Sequence, residues 1–474
     1  MATLQPARLF DRTLRHLRER WREIAGAGRI RLTGDGFHPE LPDPDLARVR
    51  ERMRECIEGR GGEVSARARA ADLGRLYLAL DDAGRRRFLG VLARDFGPNH
   101  ADVADAAQGL LDAGADPRAL AEAEARLRDA LAAPRLRLLT QFNVLPEGVK
   151  FLVDLRAVVM RLARDDIEMA GLDEEMRRLL ASWFDVGFLD LRRITWDSSA
   201  ALLEKLISYE AVHAIRSWQD LKNRLDSDRR CFAFFHPRMP EEPLIFVEVA
   251  LVRAMADNIQ VLLDEAAEPL DPAEASAAIF YSISNAQRGL AGISFGNFLI
   301  KRVVDELAAA FPRLQVFATL SPLPGFRAWL DPLLAIGTHD LFAPIEAQAL
   351  MKLAGTSSGS AALAKLLAAD WSTDEAARQA MEAPLMRLGA RYLARESRPD
   401  GRPRDPVARF HLANGARIER VNWQADTSEK GLNESAGLMV NYLYRQSEIE
   451  ANHEAYEGEG RVTVSGAVSG LLKR

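Results

Sequence analysis

The chain has 474 residues, 48% of them apolar, 28% charged and 7% aromatic, a composition that supports a sizeable core and excludes a disordered or fibrous class. Its 63 basic and 68 acidic residues leave a net charge of −5, which gives no reason to expect nucleic acid, whose binding needs concentrated basic surface. No apolar run is long enough to span a bilayer, and the two cysteines, Cys56 and Cys231, form neither a zinc spacing nor a disulfide framework.

The N-terminal segment is Arg-rich and amphipathic, as a transit peptide is, but Asp11, Glu19 and Glu23 argue instead for a surface helix. It has no secretory apolar stretch. The C-terminus reads Leu-Leu-Lys-Arg and lacks a peroxisomal address. Together with the reduced cysteines, these features lead to the expectation of a cytoplasmic protein of bacterial type. The basic residues are overwhelmingly Arg, with only Lys150 before residue 200, as codon bias from a GC-rich genome produces.

Residues 1–186 read as helix after helix. Asp116-Pro117 can cap and start a helix whose Leu120, Leu127 and Leu131 share one face. Phe151, Leu155, Val158, Val159 and Leu162 form a second apolar stripe. Breaks at Gly59–Gly62, Gly97–Asn99 and Ala132–Pro134 separate the segments. This half is expected to be an all-α bundle serving as scaffold or oligomer interface.

The texture changes near Gly187. β-rich runs occur at Cys231–Phe235, Leu244–Leu251, Ala278–Ser284 and Leu314–Thr319, with a helix over Phe295–Phe311 between the last two. Residues 331 to about 405 read as helical again, and two more strands are expected near Ala416–Ala425 and Gly437–Tyr444, with His411 opening a strand-like stretch. The fold class is therefore α+β: a helical domain over 1–186, then a mixed-sheet catalytic domain over 187–474 with a helical insertion at about 331–405.

The most informative local pattern is a strand, a Gly-rich turn over Asn285–Asn297 and a helix. A turn entering a helix N-terminus exposes unpaired N–H groups and the positive end of the dipole, which suit a pyrophosphate. Gln287, Arg288, Gly289, Ala291, Gly292, Ile293, Ser294, Phe295, Gly296 and Asn297 are the candidate binding residues. The glycine spacing does not match the dinucleotide fingerprint Gly-x-Gly-x-x-Gly. The turn resembles the Gln/Arg-x-x-Gly-x-Gly/Ala loop with which the GNAT acetyltransferase superfamily holds the pyrophosphate of coenzyme A, although a Gly-rich turn of this kind is often only a turn.

Longer motifs lie on either side: His236-Pro-Arg-Met-Pro-Glu-Glu-Pro-Leu, Phe280 through Val304, Ser321-Pro-Leu-Pro-Gly-Phe, His411-Leu-Ala-Asn-Gly-Ala, Val421-Asn-Trp-Gln-Ala-Asp, and Gly437 through Tyr444. In this order they resemble the malonyl-CoA decarboxylase family, densely from about Phe188 to Tyr444 and more loosely over the N-terminal helices. The resemblance implies a GNAT-like catalytic domain and cofactor-free, metal-free conversion of malonyl-CoA to acetyl-CoA and carbon dioxide. It implies homo-oligomers through the helical domain and no membrane or nucleic-acid partner. The family's catalytic serine falls on Ser321, its histidine on His411, and a tyrosine near the site on Tyr444. Where some members carry Glu in the pyrophosphate turn, this chain has Ser294, so a carboxylate there is not the essential base.

These residue types suit the chemistry. Loss of carbon dioxide leaves an enolate that must be stabilised and then protonated at carbon. Imidazole titrates near pH 6.5, so His411 is the natural proton donor, and Ser321 can hydrogen-bond the carboxylate or enolate oxygen. The division of labour between them stays open. Each alone is more often structural: Ser-Pro opens turns, and a lone His or Tyr is usually a satisfied surface or core group. Only the joint pattern raises them. The rival readings are a CoA-dependent acyltransferase, which the same turn would serve, and a non-enzymatic CoA sensor or scaffold.

Overall fold

The computed structural model describes Trp21 and residues 36–59, 63–184, 186–293, 299–337 and 341–473. The amphipathic N-terminal segment, and Ser294, Phe295, Gly296 and Asn297 of the turn, lie outside the described residues. By packing, the chain divides into two units. One holds the described residues up to Asp190 together with Phe235–Pro243 and 287–293; the other holds Leu191–Phe234, Leu244–Ala286 and 299–473.

The first unit contains eight described helices, from Asp43–Ile57 to Ile167–Ala181. Its core gathers Trp21, Phe142 and Phe151, with Tyr77 and Phe88 beside them. Helix Gly148–Leu162 is central: Phe151, Leu155, Val159 and Leu162 of its apolar stripe are buried, and so are Leu152, Val153 and Arg156. The stripe expected on helix Pro117–Leu131 behaves differently. This helix pairs with His100–Asp112, yet Leu120 is 36% and Leu131 52% exposed, and Ala123 is the one buried residue on it. Across the pair, His100–Asp112 buries none of its residues, and Leu111 is 77% exposed. The periodicity correctly gave a helix, but no further layer covers its apolar face among the described residues.

The second unit is built on a mixed sheet, of which Asp190, Phe235–His236 and Met239–Pro243 fall in the first unit. Its strands are β1 (Asp190–Ile194), β2 (Arg229–His236), β3 (Met239–Val252), β4 (Ala277–Asn285), β5 (Val316–Thr319), β6 (Ser321–Pro322), β7 (Arg417–Asn422) and β8 (Met439–Leu443). Their order is β1-β2-β3-β4-β5-β8-β6, with β7 also on β8. β4 and β5 run parallel, and helix Leu299–Ala310 lies between them in sequence, as a parallel connection needs. β8 is antiparallel to β5, β6 and β7. Ile279, Tyr281, Ala318, Leu320, Met439 and Leu443 belong to one buried cluster of this unit. Helical class first and mixed sheet second is therefore the architecture observed.

Helix Leu299–Ala310 is the described part of the helix expected over Phe295–Phe311, whose first four residues lie outside the described residues. One boundary differs from the expectation. His411 does not open a strand: it sits in helix Pro406–Ala413, so the run of helices that begins with Phe326–Ile336 continues past residue 405. The signal was in the sequence. Asp405 caps this helix through the Ala408 N–H at 2.8 Å, and Pro406 occupies the first turn, where its fixed φ and missing donor fit.

Candidate active site

Ser321 and Thr319 lie two residues apart where the chain passes from β5 to β6. Extended residues at i and i+2 project to one face, and the Ser321 hydroxyl donates to Thr319 Oγ1 at 2.9 Å. Leu320 between them is wholly buried in the core. Pairing with β8 fixes this passage: Ala318 faces Leu443 and Ser321 faces Val440.

The capped helix Pro406–Ala413 brings His411 to the same place. Nε2 of His411 lies 3.2 Å from Ser321 Oγ, and Nδ1 lies 2.7 Å from the Tyr444 hydroxyl. Tyr444 follows β8, and its N–H donates to the Phe317 carbonyl at 2.8 Å. The imidazole stacks on Tyr442, with ring centroids 4.4 Å apart and planes at 25°. The three expected residues Ser321, His411 and Tyr444 therefore form one continuous hydrogen-bonded chain, although Ser321 and His411 are 90 residues apart in sequence. All are buried: Ser321 is 6%, His411 2% and Tyr444 1% exposed.

Burial sets the electrostatics. It pushes His411 down to about 3 and Tyr444 well above the ordinary phenol value, because neither charged form is solvated here. This corrects the reading that His411 titrates near working pH. The resting imidazole is neutral.

The Gly-rich turn is built by other contacts, all within the first unit. It begins at Gln287, 5% exposed, whose side-chain amide donates to the Pro243 carbonyl at 2.9 Å. Arg288–Leu290 form a 3-10 turn, and Gly292 takes φ +75°, a left-handed conformation that glycine adopts without strain. Gly289 is required by space, since a Cβ there would lie 1.8 Å from the Val153 carbonyl oxygen. Arg156 from helix Gly148–Leu162 holds the turn: Nη1 donates to the Gly289 and Ala291 carbonyls at 2.7 and 2.9 Å, and Nε to Asp173 at 2.9 Å. The N–H groups of Leu290, Ala291 and Ile293 are used on carbonyls inside the turn, so fewer amides face outward than a bare helix N-terminus would offer.

Sequence reasoning missed Thr319 and Arg156. Thr319 could have been found from its period-two spacing to Ser321. Arg156 could have been found as a charge inside an apolar helical stripe. Among the described residues, no group of three His, Cys, Asp or Glu side chains could hold a metal ion, and no helix is long and apolar enough to cross a membrane.

Residues 187–474 match the family model described as the malonyl-CoA decarboxylase C-terminal domain, and residues 96–184 match that of the N-terminal domain. The chain belongs to the malonyl-CoA decarboxylase family. Similar members include "Malonyl-CoA decarboxylase, mitochondrial" of Anser anser anser, 40% identical over 96% of this chain and 92% of that one. The Mus musculus protein of the same name is also 40% identical, over 96% of this chain and 93% of its own length. Among solved structures, a malonyl-CoA decarboxylase from Rhodopseudomonas palustris superposes with a TM-score of 0.81 at 40% identity, covering 89% of this chain and 98% of that one. The expected cytoplasmic location is overturned by the relatives from Anser anser anser, Mus musculus and Rattus norvegicus, which are named as mitochondrial. A targeting segment is an address read by a receptor, so core patterning and cysteine usage carry no trace of it.

Proposed function

We propose that this chain converts malonyl-CoA to acetyl-CoA and carbon dioxide, without a metal or other cofactor, at Ser321, His411 and Tyr444. The observation that carries the reading is the buried chain from Ser321 through His411 to Tyr444, on a backbone 40% identical to named malonyl-CoA decarboxylases. The bond between the carboxylate carbon and the α-carbon breaks, carbon dioxide leaves, and its electron pair delocalises into the thioester oxygen. When substrate binds, the Ser321 hydroxyl turns from its resting acceptor, Thr319 Oγ1, and donates to the carboxylate and then to the enolate oxygen. The buried surroundings strengthen that hydrogen bond as charge develops. His411 supplies the proton that ends on carbon, and the pair recovers it from solvent. Tyr444 holds the far side of the imidazole.

The Gly-rich turn takes the pyrophosphate. Arg156 and Gly289 hold its backbone in shape, and Arg288, exposed at its edge, adds positive charge. The helical part over 1–186 is the scaffold, and a homo-oligomer forms through it. The exposed Leu111, Leu120 and Leu131 of the helix pair are the apolar surface available for that contact.

The test is release of acetyl-CoA and carbon dioxide from malonyl-CoA by purified protein with a chelator present. Full activity with the chelator, and loss of at least about 100-fold in turnover for His411→Asn with CoA affinity kept, are the expected results. Near-normal turnover in His411→Asn refutes the assignment of the histidine. Activity lost to the chelator refutes the metal-free step. Acyl transfer to an amine without carbon dioxide would make the chain an acyltransferase.

A further inference from the structure

The hydrogen bonds at the site share very few protons. Tyr444, Ser321, Thr319 and a neutral His411 each have one to give, and between the two hydroxyls Ser321 is the donor and Thr319 the acceptor. The chain through them must therefore run in one direction or the other, and something at its end must choose. Thr319 stands at that end. We infer that Thr319 is a positioning residue that sets this direction, and with it the tautomer of His411; the inference rests on Ser321 and His411 being the reacting pair.

Ser321 donates its single proton to Thr319 Oγ1 at 2.9 Å. Its oxygen then faces His411 Nε2 at 3.2 Å as an acceptor, so Nε2 carries the imidazole proton. Nδ1 is left as the acceptor and takes the Tyr444 O–H at 2.7 Å, the role that a phenol held in its protonated form fills. The order is Tyr444 to His411, His411 to Ser321, Ser321 to Thr319. This places the imidazole proton on the side of the serine.

Thr319 is clamped for this task. It is wholly buried, and its Oγ1 also accepts the Tyr442 N–H at 3.1 Å. Its carbonyl accepts from Asn441 Nδ2 at 2.6 Å, and Asn441 Oδ1 in turn accepts from Asn422 at 2.9 Å and Arg420 at 3.1 Å. Two strands and a buried amide ladder thus fix the oxygen that receives the serine proton. Without that oxygen, the Ser321 hydroxyl turns onto Nε2, the proton moves to Nδ1, and Tyr444 becomes the acceptor. The imidazole then has nothing to give on the serine side.

The test compares wild type, Thr319→Val and Thr319→Ser in decarboxylation of malonyl-CoA and in 15N NMR of protein labelled at histidine. Wild type is expected to show His411 protonated at Nε2. Thr319→Val is expected to lose at least about tenfold in kcat with KM within twofold, and to shift the proton toward Nδ1. Thr319→Ser is expected to restore kcat to within about threefold and the wild-type 15N pattern. A role in packing alone would not move the tautomer. The idea is overturned if wild type carries the proton on Nδ1, or if Thr319→Val keeps kcat within twofold. Should Thr319→Val not fold, the wild-type 15N pattern alone decides. Should wild type release no carbon dioxide, the proposed function fails while the NMR arm still tests Thr319.

Discussion

Lowering the pH from 7.5 to 5.5 separates a buried imidazole from an ordinary one. An imidazole with a midpoint near 6.5 would be about nine-tenths charged at pH 5.5, and a step needing its neutral form would slow about tenfold. His411 is pushed down to about 3 by burial, so fewer than about one molecule in a hundred is charged at pH 5.5. The expected result is a kcat/KM for malonyl-CoA that shows no loss from this group down to pH 5.5. Stability responds differently. Between the unfolded midpoint of 6.5 and the folded one of about 3, the unfolded chain binds one more proton than the folded chain. Stability present above pH 6.5 is therefore lost as the pH falls, by about 1.4 kcal/mol per unit, or roughly 2 kcal/mol by pH 5. Chemical denaturation of wild type and His411→Asn at pH 7 and pH 5 isolates this contribution, because the variant lacks it. A tenfold fall in wild-type kcat/KM centred near pH 6.5, or a wild-type-minus-variant stability difference that is the same at both pH values, refutes the reasoning.

Arg156→Met removes two charge-assisted bonds to the carbonyls of the turn, each of a kind that contributes about 1.5–3 kcal/mol. KM for malonyl-CoA is expected to rise by at least tenfold with kcat little changed; an unchanged KM in a folded variant rules out its part in shaping the turn. Leu111→Glu combined with Leu131→Glu places charge on the exposed apolar face of the helix pair. Light scattering is expected to show an oligomer in wild type and a smaller species in the variant, and an identical mass for both removes that face from the interface.

The central strands were legible because burial on both faces makes a largely apolar run: β2 and β8 bury every residue, and β4 nearly all. β1, Asp-Leu-Arg-Arg-Ile with one buried residue, and the two-residue β6 leave no such run, and nothing in the sequence marks them. Helix Leu299–Ala310 was legible from its apolar spacing. His411 reads as strand from the sequence because Asp405-Pro406 ends a charged, Pro-rich stretch with the look of a loop, which masks the cap signal of helix Pro406–Ala413. The Ser321 to His411 contact spans 90 residues, and no local pattern encodes it; only the ordered motifs pointed there. The same holds for Gly289, whose need for glycine comes from Val153, far away in the chain. The depressed proton affinity of His411 was invisible because it depends on the surroundings that bury it, not on its neighbours in sequence.

β8, at Met439–Leu443, pairs with β5, β6 and β7, and it comes late in the chain. As the polypeptide leaves the ribosome, β5 and β6 emerge more than a hundred residues before the strand that closes them. Until then, Val316–Thr319 and Ser321–Pro322 present an open edge, the kind of surface that pairs with other chains. Molecules truncated before β8 should therefore aggregate during synthesis, not persist as soluble inactive protein.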